Sequence, residues 1–406
     1  MTCRFCGAPL EVTLADLGAT PLANSYLKGP EGTAAERRFP LHVKVCMACH
    51  LAQTTETVPA DAIFDHDYAY LSSYSSSWVA HAERYAEAMI ARFDLGADSK
   101  VVEIASNDGY LLQHFVARGV PVLGVEPAGH AASLAEAKGV PTHVAFFDRD
   151  MGKALRAQGH GADLMAANNV LAHVPDIRSF VAGFAELLTP EGVVTFEFPH
   201  LLRLIEGAQF DTIYHEHYSY LSLLAVERVL ASAGLAVFDI EELSTHGGSL
   251  RVYAGHSGAH GEQAAVAQIR TDEAAAGLEK PGAYAVFSQR VTSVCDGLRA
   301  FLAETREEGK TVAAYGAAAK GNTLLNVAGV GASDIAYVVD RNPEKQGTLL
   351  PGSHIPVRAP EALYRTRPDY VLILPWNLSA EIAAEHDAIA QWGGRFLVAV
   401  PELRLL

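Results

Sequence analysis

The sequence predicts an α/β protein of three parts, and three observations lead to this prediction. Two Cys-x-x-Cys pairs lie near the start, apolar strand and helix patterns alternate through the middle, and a second strand–turn–helix pattern occupies the last third. At 406 residues and 50% hydrophobic composition, the chain is long enough to bury several cores. We expect a small zinc domain at 1–72, a doubly wound domain at 73–240 and a second Rossmann-like domain at 241–406.

Charge and hydropathy exclude some classes of partner. The formal net charge of −16 argues against a broad nucleic-acid-binding surface. The sequence contains no apolar run approaching the roughly 18 residues of a membrane span. We therefore expect a cytoplasmic protein without a membrane partner. A small anionic ligand stays compatible with the acidic composition, because local Arg and Lys side chains can hold it.

The N-terminal cysteines predict a structural zinc site. Cys3 and Cys6 form one Cys-x-x-Cys pair, and Cys46 and Cys49 form the other. Four thiolates in two such pairs close a tetrahedral site around one Zn²⁺ and leave no open position for catalysis. Two disulfides or four idle thiols are the alternatives. A disulfide framework fits poorly, because no secretory signal pattern precedes Cys3 and only Cys295 lies elsewhere.

The central region reads as alternating strands and helices. Strand patterns cover 100–104, 120–126, 163–168 and 192–198, and helix patterns cover 110–115 and 131–138. This alternation indicates a parallel sheet with helices on both faces. Ligands of such sheets bind at the carboxyl ends of the strands. Residues in the loops that follow the strands are therefore the first candidates for a binding site.

The turn after the first central strand indicates which ligand binds. It reads Glu103-Ile-Ala-Ser-Asn-Asp-Gly109, without the G-x-G-x-x-G pattern of a dinucleotide fold. It resembles the E-x-G-x-G-x-G turn of S-adenosylmethionine methyltransferases, with Ala105 and Asn107 at the first two glycine positions. Asn tolerates left-handed backbone angles better than most residues. An ordinary Rossmann turn with a solvated glutamate is the alternative.

The resemblance assigns further positions to this cofactor. Glu126 ends the second strand, where a carboxylate accepts both ribose hydroxyls. Asn168 ends the third strand, at the same edge of the predicted sheet. The predicted cofactor residues are Glu103, Ala105, Ser106, Asn107, Gly109, Glu126 and Asn168.

Two polar clusters downstream carry residue types suited to acid–base chemistry. His173 follows the third strand, and Tyr214-His215-Glu216-His217 forms a denser group. A lone histidine such as His173 is also compatible with a structural hydrogen-bonding role, and the denser group with a solvated surface strand. A metal site is disfavoured, because the two histidines of His-Glu-His lack the helical i, i+4 spacing. Histidine titrates near neutral pH and tyrosine donates to an oxyanion, so general acid–base work fits these residues better.

Eight motifs in the same order resemble the three-domain sugar C-methyltransferase family, and the match spans nearly the whole chain. Its best-understood members methylate C3 of TDP-4-keto-deoxysugars for antibiotic decoration. The resemblance implies that a nucleotide sugar lies in a cleft between the domains of one chain, so that a monomer could work. The motifs are the two cysteine pairs, Pro-Leu-Ala-Asn-Ser-Tyr-Leu at 21–27, the turn at 103–109, Tyr-His-Glu-His at 214–217, His-Gly-Gly-Ser-Leu-Arg at 246–251, Gly-Ala-Ala-Ala-Lys-Gly-Asn-Thr at 316–323, Val-Asp-Arg-Asn at 339–342 and Leu-Pro-Trp-Asn at 374–377.

The resemblance also implies catalytic roles. His217 would remove the C3 proton, and Tyr214 and His173 would hydrogen-bond the oxyanion that develops at C4. Glu216 would orient the sugar or tune His217. His215 is expected to point to the opposite side and to be structural.

One further tyrosine is predicted from the segment that bridges the first two domains. Residues 67–78 are rich in Ser and Tyr, and in this family a tyrosine from this segment approaches the active site. Tyr68 matches it best by position, with Tyr70 as the second choice. A plain linker is the alternative reading of this composition.

The last third of the chain has its own strand–turn–helix pattern. A helix is predicted at 284–306, and strands at 311–315, 335–340 and 370–374. The turn at 316–323 has Lys-Gly where a Walker loop needs Gly-Lys-Ser/Thr, and it lacks G-x-G-x-x-G, so NAD is not expected. A glycine turn that opens a helix still offers N–H groups to phosphate. We assign the nucleotide diphosphate to Lys320, Asn322, Arg251 and Arg341, with a folding turn and a surface lysine as the alternative.

Two other functions stay open at this point. O- or N-methylation of a nucleotide sugar needs less help with proton abstraction than the Tyr-His-Glu-His group offers. A non-catalytic zinc-clasped protein that binds S-adenosylmethionine or a nucleotide would be expected to lose that group. TDP, GDP and CDP all remain compatible nucleotides.

Overall fold

The computed structural model describes residues 1–56, 58 and 71–406. The strands form three sheets. They are β1 (Val12–Thr20), β2 (Phe39–Val45), β3 (Ala52–Thr54), β4 (Val101–Ile104), β5 (Val122–Val125), β6 (Thr142–His143), β7 (Ala162–Asn168), β8 (Leu188–Pro199), β9 (Ser219–Tyr220), β10 (Leu235–Leu243), β11 (Ser249–His256), β12 (Val312–Tyr315), β13 (Val338–Val339), β14 (Val357–Arg358), β15 (Tyr370–Ile373), β16 (Arg395–Val398) and β17 (Arg404–Leu405).

Helices connect and cover these sheets. The α-helices are α1 (Gly29–Ala34), α2 (Ser76–Phe93), α3 (Leu112–Val116), α4 (Gly129–Ala137), α5 (Arg149–Ala157), α6 (Ile177–Leu187), α7 (Leu201–Glu206), α8 (Leu223–Ala231), α9 (Ala264–Ala275), α10 (Pro281–Glu307), α11 (Ala319–Ala328), α12 (Glu361–Thr366) and α13 (Ser379–Glu385). Short 3₁₀ turns lie at Ser72–Tyr74, Leu171–His173, Phe210–Thr212, Thr245–Gly247, Trp376–Leu378 and Asp387–Trp392. Within the described ranges, no helix is both long and apolar enough to cross a bilayer.

The first sheet draws strands from two regions of the sequence. Its order is β1-β2-β3-β9, and all its neighbours are antiparallel. β9 belongs to the Tyr- and His-rich region, yet it pairs with β3 through Ala52 opposite Tyr220 and Gln53 opposite Ser219. The zinc domain is therefore bonded directly to the segment that carries the candidate catalytic residues.

The central sheet is the predicted doubly wound sheet. Its order is β10-β11-β8-β7-β4-β5-β6, with β11 antiparallel to β8 and β10. From β4 the chain proceeds outward through β5 and β6, and then continues on the other side through β7 and β8. This reversal beside β4 is the topological switch point, where a ligand crevice opens at the carboxyl ends of the strands.

The central sheet continues past the domain boundary that the sequence predicts between residues 240 and 241. That position falls inside β10, and β11 pairs with β8 through residues 249–255. Two antiparallel strands have no helix between them, so the alternation that marks the rest of this domain in the sequence is absent here.

The third sheet, like the central sheet, belongs to an α/β unit. Its order is β14-β13-β12-β15-β16-β17, and its neighbours are parallel except for β17. The strand predicted at 335–340 is only two residues long, as β13. The long helix α10 packs against both β1 and the third sheet, and a single apolar cluster includes side chains from all three elements. The N-terminal and C-terminal parts therefore share one core.

A buried carboxylate accepts hydrogen bonds from several groups in the region between the central sheet and α10. Glu273 of α9 is 2% exposed and accepts three hydrogen bonds. They come from Nε2 of His200 at 2.7 Å and from the backbone N–H groups of Leu223 at 2.6 Å and Leu224 at 2.8 Å. The last two open α8, where a carboxylate also interacts favourably with the helix dipole.

We predict that Glu273→Ala destabilises the protein by about 3 kcal/mol, because three buried donors lose their acceptor at once. Urea denaturation followed by circular dichroism measures the change. Glu279→Ala, an exposed glutamate in the following connection, serves as the control and should leave the midpoint unchanged. Equal midpoints for the two variants would contradict this account of Glu273.

Candidate active site and zinc centre

The four N-terminal cysteines converge, as their spacing predicts. All five cysteines are free thiols, and the Sγ atoms of the four lie within 4.8 Å of one another. The Sγ atoms of Cys3 and Cys49 are 3.6 Å apart, and those of Cys6 and Cys46 are 3.4 Å apart. Tetrahedral Zn²⁺ with bonds of about 2.3 Å to sulfur places its ligands about 3.8 Å apart. The arrangement therefore fits zinc.

The side chains around the cysteines connect the zinc centre to the rest of the molecule. Gln53 of β3 donates from Nε2 to Sγ of Cys3 at 3.1 Å, and its Oε1 accepts from the backbone N–H of Arg4 at 2.8 Å. The Arg4 guanidinium donates to the carbonyl of Thr54 and to the carbonyl of Tyr218. The four cysteines are thus connected by hydrogen bonds to a corner of the structure that touches the candidate catalytic segment.

The turn after β4 has the backbone that the cofactor resemblance requires. Ala105, Asn107 and Gly109 all have positive φ, at 57°, 49° and 76°. Only glycine adopts these angles without cost, so the alanine is held in a strained conformation by its surroundings. Asn107 accepts a hydrogen bond from the backbone N–H of Ser72 through Oδ1, at 2.9 Å. The Asn107 side chain therefore binds the described segment that follows residue 58 in the sequence.

Two buried carboxylates lie at this edge of the sheet. Glu126 accepts from the backbone N–H groups of Asn107 at 2.9 Å and Ala128 at 2.8 Å. A carboxylate has about four acceptor sites, so these two bonds leave capacity for ribose hydroxyls. Glu103 is 1% exposed, and burial raises the pKa of its carboxyl well above the ordinary value while the nearby Tyr110 hydroxyl acts in the opposite direction. Burial also raises the pKa of Glu126.

The remaining predicted cofactor residues differ in their surroundings. Asn168 is the last residue of β7 and is partly exposed at the switch point. Ser106 is fully buried, and its Oγ lies only 2.4 Å from where a Cβ on Gly124 would stand. The Ser106 side chain therefore packs against β5, which leaves its backbone as the part that can face a ligand.

Residues 210–221, which we call the hub segment, contact all three parts of the molecule. From the C-terminal part, Trp376 donates from Nε1 to Oδ2 of Asp211 at 2.7 Å, and Thr323 donates from Oγ1 to the carbonyl of Ile213 at 3.0 Å. From the N-terminal part, Asn24 donates from Nδ2 to Oε1 of Glu216 at 2.7 Å. From the central part, His173 donates from Nδ1 to the carbonyl of Glu216 at 2.8 Å.

The hub segment holds His217 in the form that a general base needs. Its Nδ1 lies 3.0 Å from the carbonyl of Thr212, which can only accept, so the ring proton is on Nδ1. Burial lowers the pKa of His217 well below its ordinary value, and the nearby His173, His246 and Lys320 act in the same direction. A neutral ring with its proton on Nδ1 carries a lone pair on Nε2.

His173 and Tyr214 complete the predicted cluster. The His217 ring centroid is 4.0 Å from that of Tyr214 and 4.6 Å from that of His173. Burial lowers the pKa of His173 to about 4, so its ring is neutral near pH 7. Its Nδ1 proton is already donated to the Glu216 carbonyl, which corrects the predicted role of His173 as an oxyanion donor. The role of Tyr214 as an oxyanion donor stays a prediction.

The side chains of Glu216 and His215 make their contacts away from the His217 ring. The Glu216 carboxylate is buried and bonds to Asn24, and this burial raises its pKa. Glu216 does act on one imidazole, because its backbone carbonyl accepts a hydrogen bond from Nδ1 of His173. His215 is 3% exposed and its Nε2 bonds to the carbonyl of Phe39 at 3.2 Å, so it is structural, as predicted.

Lys320 lies beside the hub segment. It donates from Nζ to Oδ1 of Asn377 at 2.8 Å, and Nζ is 5.0 Å from the ring centroid of Trp376. Burial lowers the pKa of Lys320, and Asp211 acts in the opposite direction. Burial in turn raises the pKa of Asp211 to about 6, against the effect of Lys320. The lysine thus brings a cation from the C-terminal part to the candidate active site.

The other three residues predicted to bind diphosphate are placed differently. Arg251 is 5% exposed and forms ion pairs with Glu197 at 3.0 Å and Glu241 at 2.8 Å, so its guanidinium is committed to carboxylates within the protein. Asn322 is buried and donates to the carbonyl of Ala23 at 2.5 Å. Arg341 is exposed and contacts Glu385 at 3.2 Å. Arg251 and Asn322 therefore stabilise the fold.

Some residues near the candidate active site carry no prediction from the sequence. His81 lies 3.0 Å from Glu197, which is fully buried, and its ring stacks on Trp78 with centroids 4.9 Å apart. His246 lies near Asn169 and Trp78. The His-Gly-Gly motif was the sequence signal that pointed to His246. Glu197 had no such signal, because it lies in an apolar strand pattern. Tyr68 and Tyr70 lie outside the residues that the structure describes.

We predict that the purified protein contains one Zn²⁺ per chain, bound by four sulfur atoms at about 2.3 Å. Metal analysis and X-ray absorption spectroscopy measure both quantities. Cys49→Ala should lose the metal, whereas Cys295→Ala, which removes the thiol on α10, should retain it. A coordination shell containing nitrogen or oxygen, or retention of the metal by Cys49→Ala, would contradict this assignment.

Comparisons with known proteins agree with this arrangement. Family models match at 3–64 (a zinc binding domain), 78–240 (a methyltransferase domain) and 244–401 (a C-methyltransferase C-terminal domain). The chain is 36% identical over 405 residues to C-methyltransferase NovU of Streptomyces niveus, covering 100% of this chain and 96% of that protein.

Other matches cover a smaller share of the chain. A ubiquinone biosynthesis O-methyltransferase of Burkholderia pseudomallei is 26% identical over 160 residues, covering 36% of this chain and 68% of that protein. Among solved structures, magnesium protoporphyrin IX methyltransferase from Synechocystis PCC 6803 with bound SAM is 14% identical, with a TM-score of 0.36. That match covers 50% of this chain and 100% of the other.

The full-length match to NovU and the three family models confirm the predicted family, fold class and cofactors. The chain belongs to the three-domain C-methyltransferase family, and it is an S-adenosylmethionine-dependent C-methyltransferase with a zinc-binding N-terminal domain.

Proposed function

We propose that this enzyme methylates C3 of a nucleotide-linked 4-keto-deoxysugar, with TDP as the nucleotide, in the biosynthesis of an antibiotic sugar. The motif resemblance and the relationship to NovU support this substrate class. The observation that carries the proposal is His217, a partly buried neutral imidazole whose Nδ1 donates to the Thr212 carbonyl and whose ring packs on Tyr214. A base is needed to remove a proton from carbon, whereas attack by a hydroxyl or an amine needs less help with proton removal.

The chemistry starts at a carbon that is a poor nucleophile. A ketone at C4 acidifies the C3 proton, because the electron pair left behind is shared with the C4 oxygen as an enolate. His217 accepts the proton on Nε2, and the Tyr214 hydroxyl donates a hydrogen bond to the enolate oxygen. When bound, S-adenosylmethionine would supply an electrophilic methyl group, which C3 would take up as the carbon–sulfur bond leaves its electron pair on sulfur.

The surroundings of His217 suit this step. His173 packs edge-on against its ring and is itself neutral, so neither imidazole holds a competing proton near pH 7. Lys320 lies close enough to oppose protonation of His217 in the resting enzyme. After the proton has moved to His217, the enolate and the imidazolium form a pair of opposite charges in a buried site.

The cofactor and nucleotide are proposed to lie at opposite ends of the cleft. S-adenosylmethionine is held by Glu126 and by the backbone of the turn that contains Asn107, with Asn168 at the strand end. The nucleotide diphosphate is held from the C-terminal part by Lys320, with the exposed Arg341 as a second cation. Tyr68 remains a proposed contact of the sugar, from the bridging segment.

We predict that the wild-type enzyme exchanges the C3 proton of a TDP-4-keto-6-deoxysugar with solvent deuterium, and that it methylates the same sugar when S-adenosylmethionine is added. His217→Gln should lose both activities by at least about 100-fold, because an amide cannot accept the proton. Mass spectrometry measures both activities in one assay. His215→Gln is the matched control, since its side-chain amide can still reach the Phe39 carbonyl and lies outside the cluster.

The outcomes separate the alternatives. Methylation of a sugar hydroxyl or amine without exchange at C3 would overturn the carbon assignment. Exchange that survives in His217→Gln would remove His217 as the base and leave the substrate class intact. Activity with GDP- or CDP-linked sugars in place of TDP-linked sugars would correct the nucleotide alone.

A further inference from the structure

The His-Gly-Gly turn between β10 and β11 has a strained backbone at its histidine. His246 has φ of 55°, and Gly247 and Gly248 follow with φ of 92° and 117°. Positive φ costs little at glycine, whereas at histidine it costs of order 1–3 kcal/mol. Such a conformation persists only where the surrounding structure enforces it, and strained residues of this kind cluster at functional sites.

Contacts from two parts of the molecule enforce this conformation. Gln209 donates from Nε2 to the carbonyl of Gly247 at 2.8 Å, and the carbonyl of Gly248 accepts from the backbone N–H of His200 at 3.0 Å. A Cβ on Gly247 would lie only 2.4 Å from the ring of Trp376, so the C-terminal part closes directly over the turn. The contact with the C-terminal part that holds the turn of His246 is therefore the same contact that brings Lys320 towards the candidate active site.

On one side, His246 faces the cofactor end of the cleft. Its Nε2 is 3.4 Å from Nδ2 of Asn169, the residue after the predicted cofactor contact Asn168. Its ring centroid is 5.6 Å from that of Trp78, which lies 6.0 Å from that of Tyr110 in the cofactor turn.

His246 also lies near enough to the base to lower the pKa of His217, and Lys320 in turn lowers the pKa of His246. Burial, with the help of Lys320, lowers the pKa of His246 to about 4, so the ring is neutral near pH 7. A neutral imidazole between the cofactor end and the base end offers hydrogen bonding without adding charge.

We propose that the His246 imidazole contacts the sugar where it meets the methyl donor, and holds the attacking carbon in line with the methyl group. This inference rests on the proposed function. The chemical consequence is specific: removal of the C3 proton requires His217, whereas His246 serves the alignment for methyl transfer. A misplacement of about 1 Å at such a step costs about 100-fold in rate.

We predict that His246→Gly separates the two activities. Glycine accepts the positive φ without strain, so this variant should fold and keep the turn. It should retain C3 deuterium exchange within about threefold of wild type and lose methyl transfer by about 100-fold. His246→Asn, which also tolerates this φ and keeps a hydrogen-bonding group, should recover part of the methyl transfer. His354→Gly is the control, because His354 has the same residue type and φ of 54° outside the cleft.

Each outcome decides the inference. Exchange retained with methyl transfer lost, in His246→Gly and not in His354→Gly, supports it. An equal loss of exchange and methyl transfer would show that His246 acts through His217, and unchanged activities would show that the ring is dispensable; either result overturns the inference while the proposed function stands. A wild-type enzyme that neither exchanges nor methylates any nucleotide-linked 4-keto sugar would overturn both together.

Discussion

The carbonyl groups of Thr212 and Glu216 are the constraint on which the active site depends. Each accepts the Nδ1 proton of one imidazole, so the lone pairs of His217 and His173 are on Nε2. Carbonyl groups of the main chain are fixed only as firmly as the segment that carries them. The hub segment is fixed from three directions, by β3, by Asn24 and by the side chains of the C-terminal part. The three-domain architecture thus serves to hold one short piece of backbone.

Burial then sets the protonation states. A neutral imidazole loses little when it leaves water, whereas an imidazolium loses much, so burial keeps both rings neutral near pH 7. Lys320 strengthens this effect, since a nearby cation also disfavours a proton on His217. The positive charge of Lys320 is favoured by Asp211, which bonds to Trp376 at the same domain contact. The packing of the C-terminal part and the protonation state of His217 are therefore linked through a few side chains.

The sequence predicted a large part of this arrangement. The zinc ligands follow from the spacing within each cysteine pair, the central strands from periodicity and the turn at 103–109 from its resemblance to a known turn, and each of these signals lies in a short stretch of the chain. His217 and Tyr214 were found by residue type and by resemblance, and the structure brings their rings together.

What the sequence did not predict depends on contacts between distant segments. Arg251 was predicted to bind phosphate, but Glu197 and Glu241 reach it across the antiparallel strands β8, β11 and β10. His173 was predicted to donate to the oxyanion, but its Nδ1 donates to the Glu216 carbonyl. Trp376, which lies far away in the chain, packs against Gly247, the residue after the strained His246. No local pattern encodes such pairings.

The most direct test of this account is the tautomer of His217. Long-range ¹H–¹⁵N correlation spectra of protein labelled in the imidazole nitrogens report which ring nitrogen carries the proton, and comparison with His217→Gln assigns the signal. We predict a neutral ring with its proton on Nδ1 near pH 7, because burial lowers the pKa of His217 well below its ordinary value. A proton on Nε2, or protonation with a midpoint near the ordinary value of about 6.5, would contradict it.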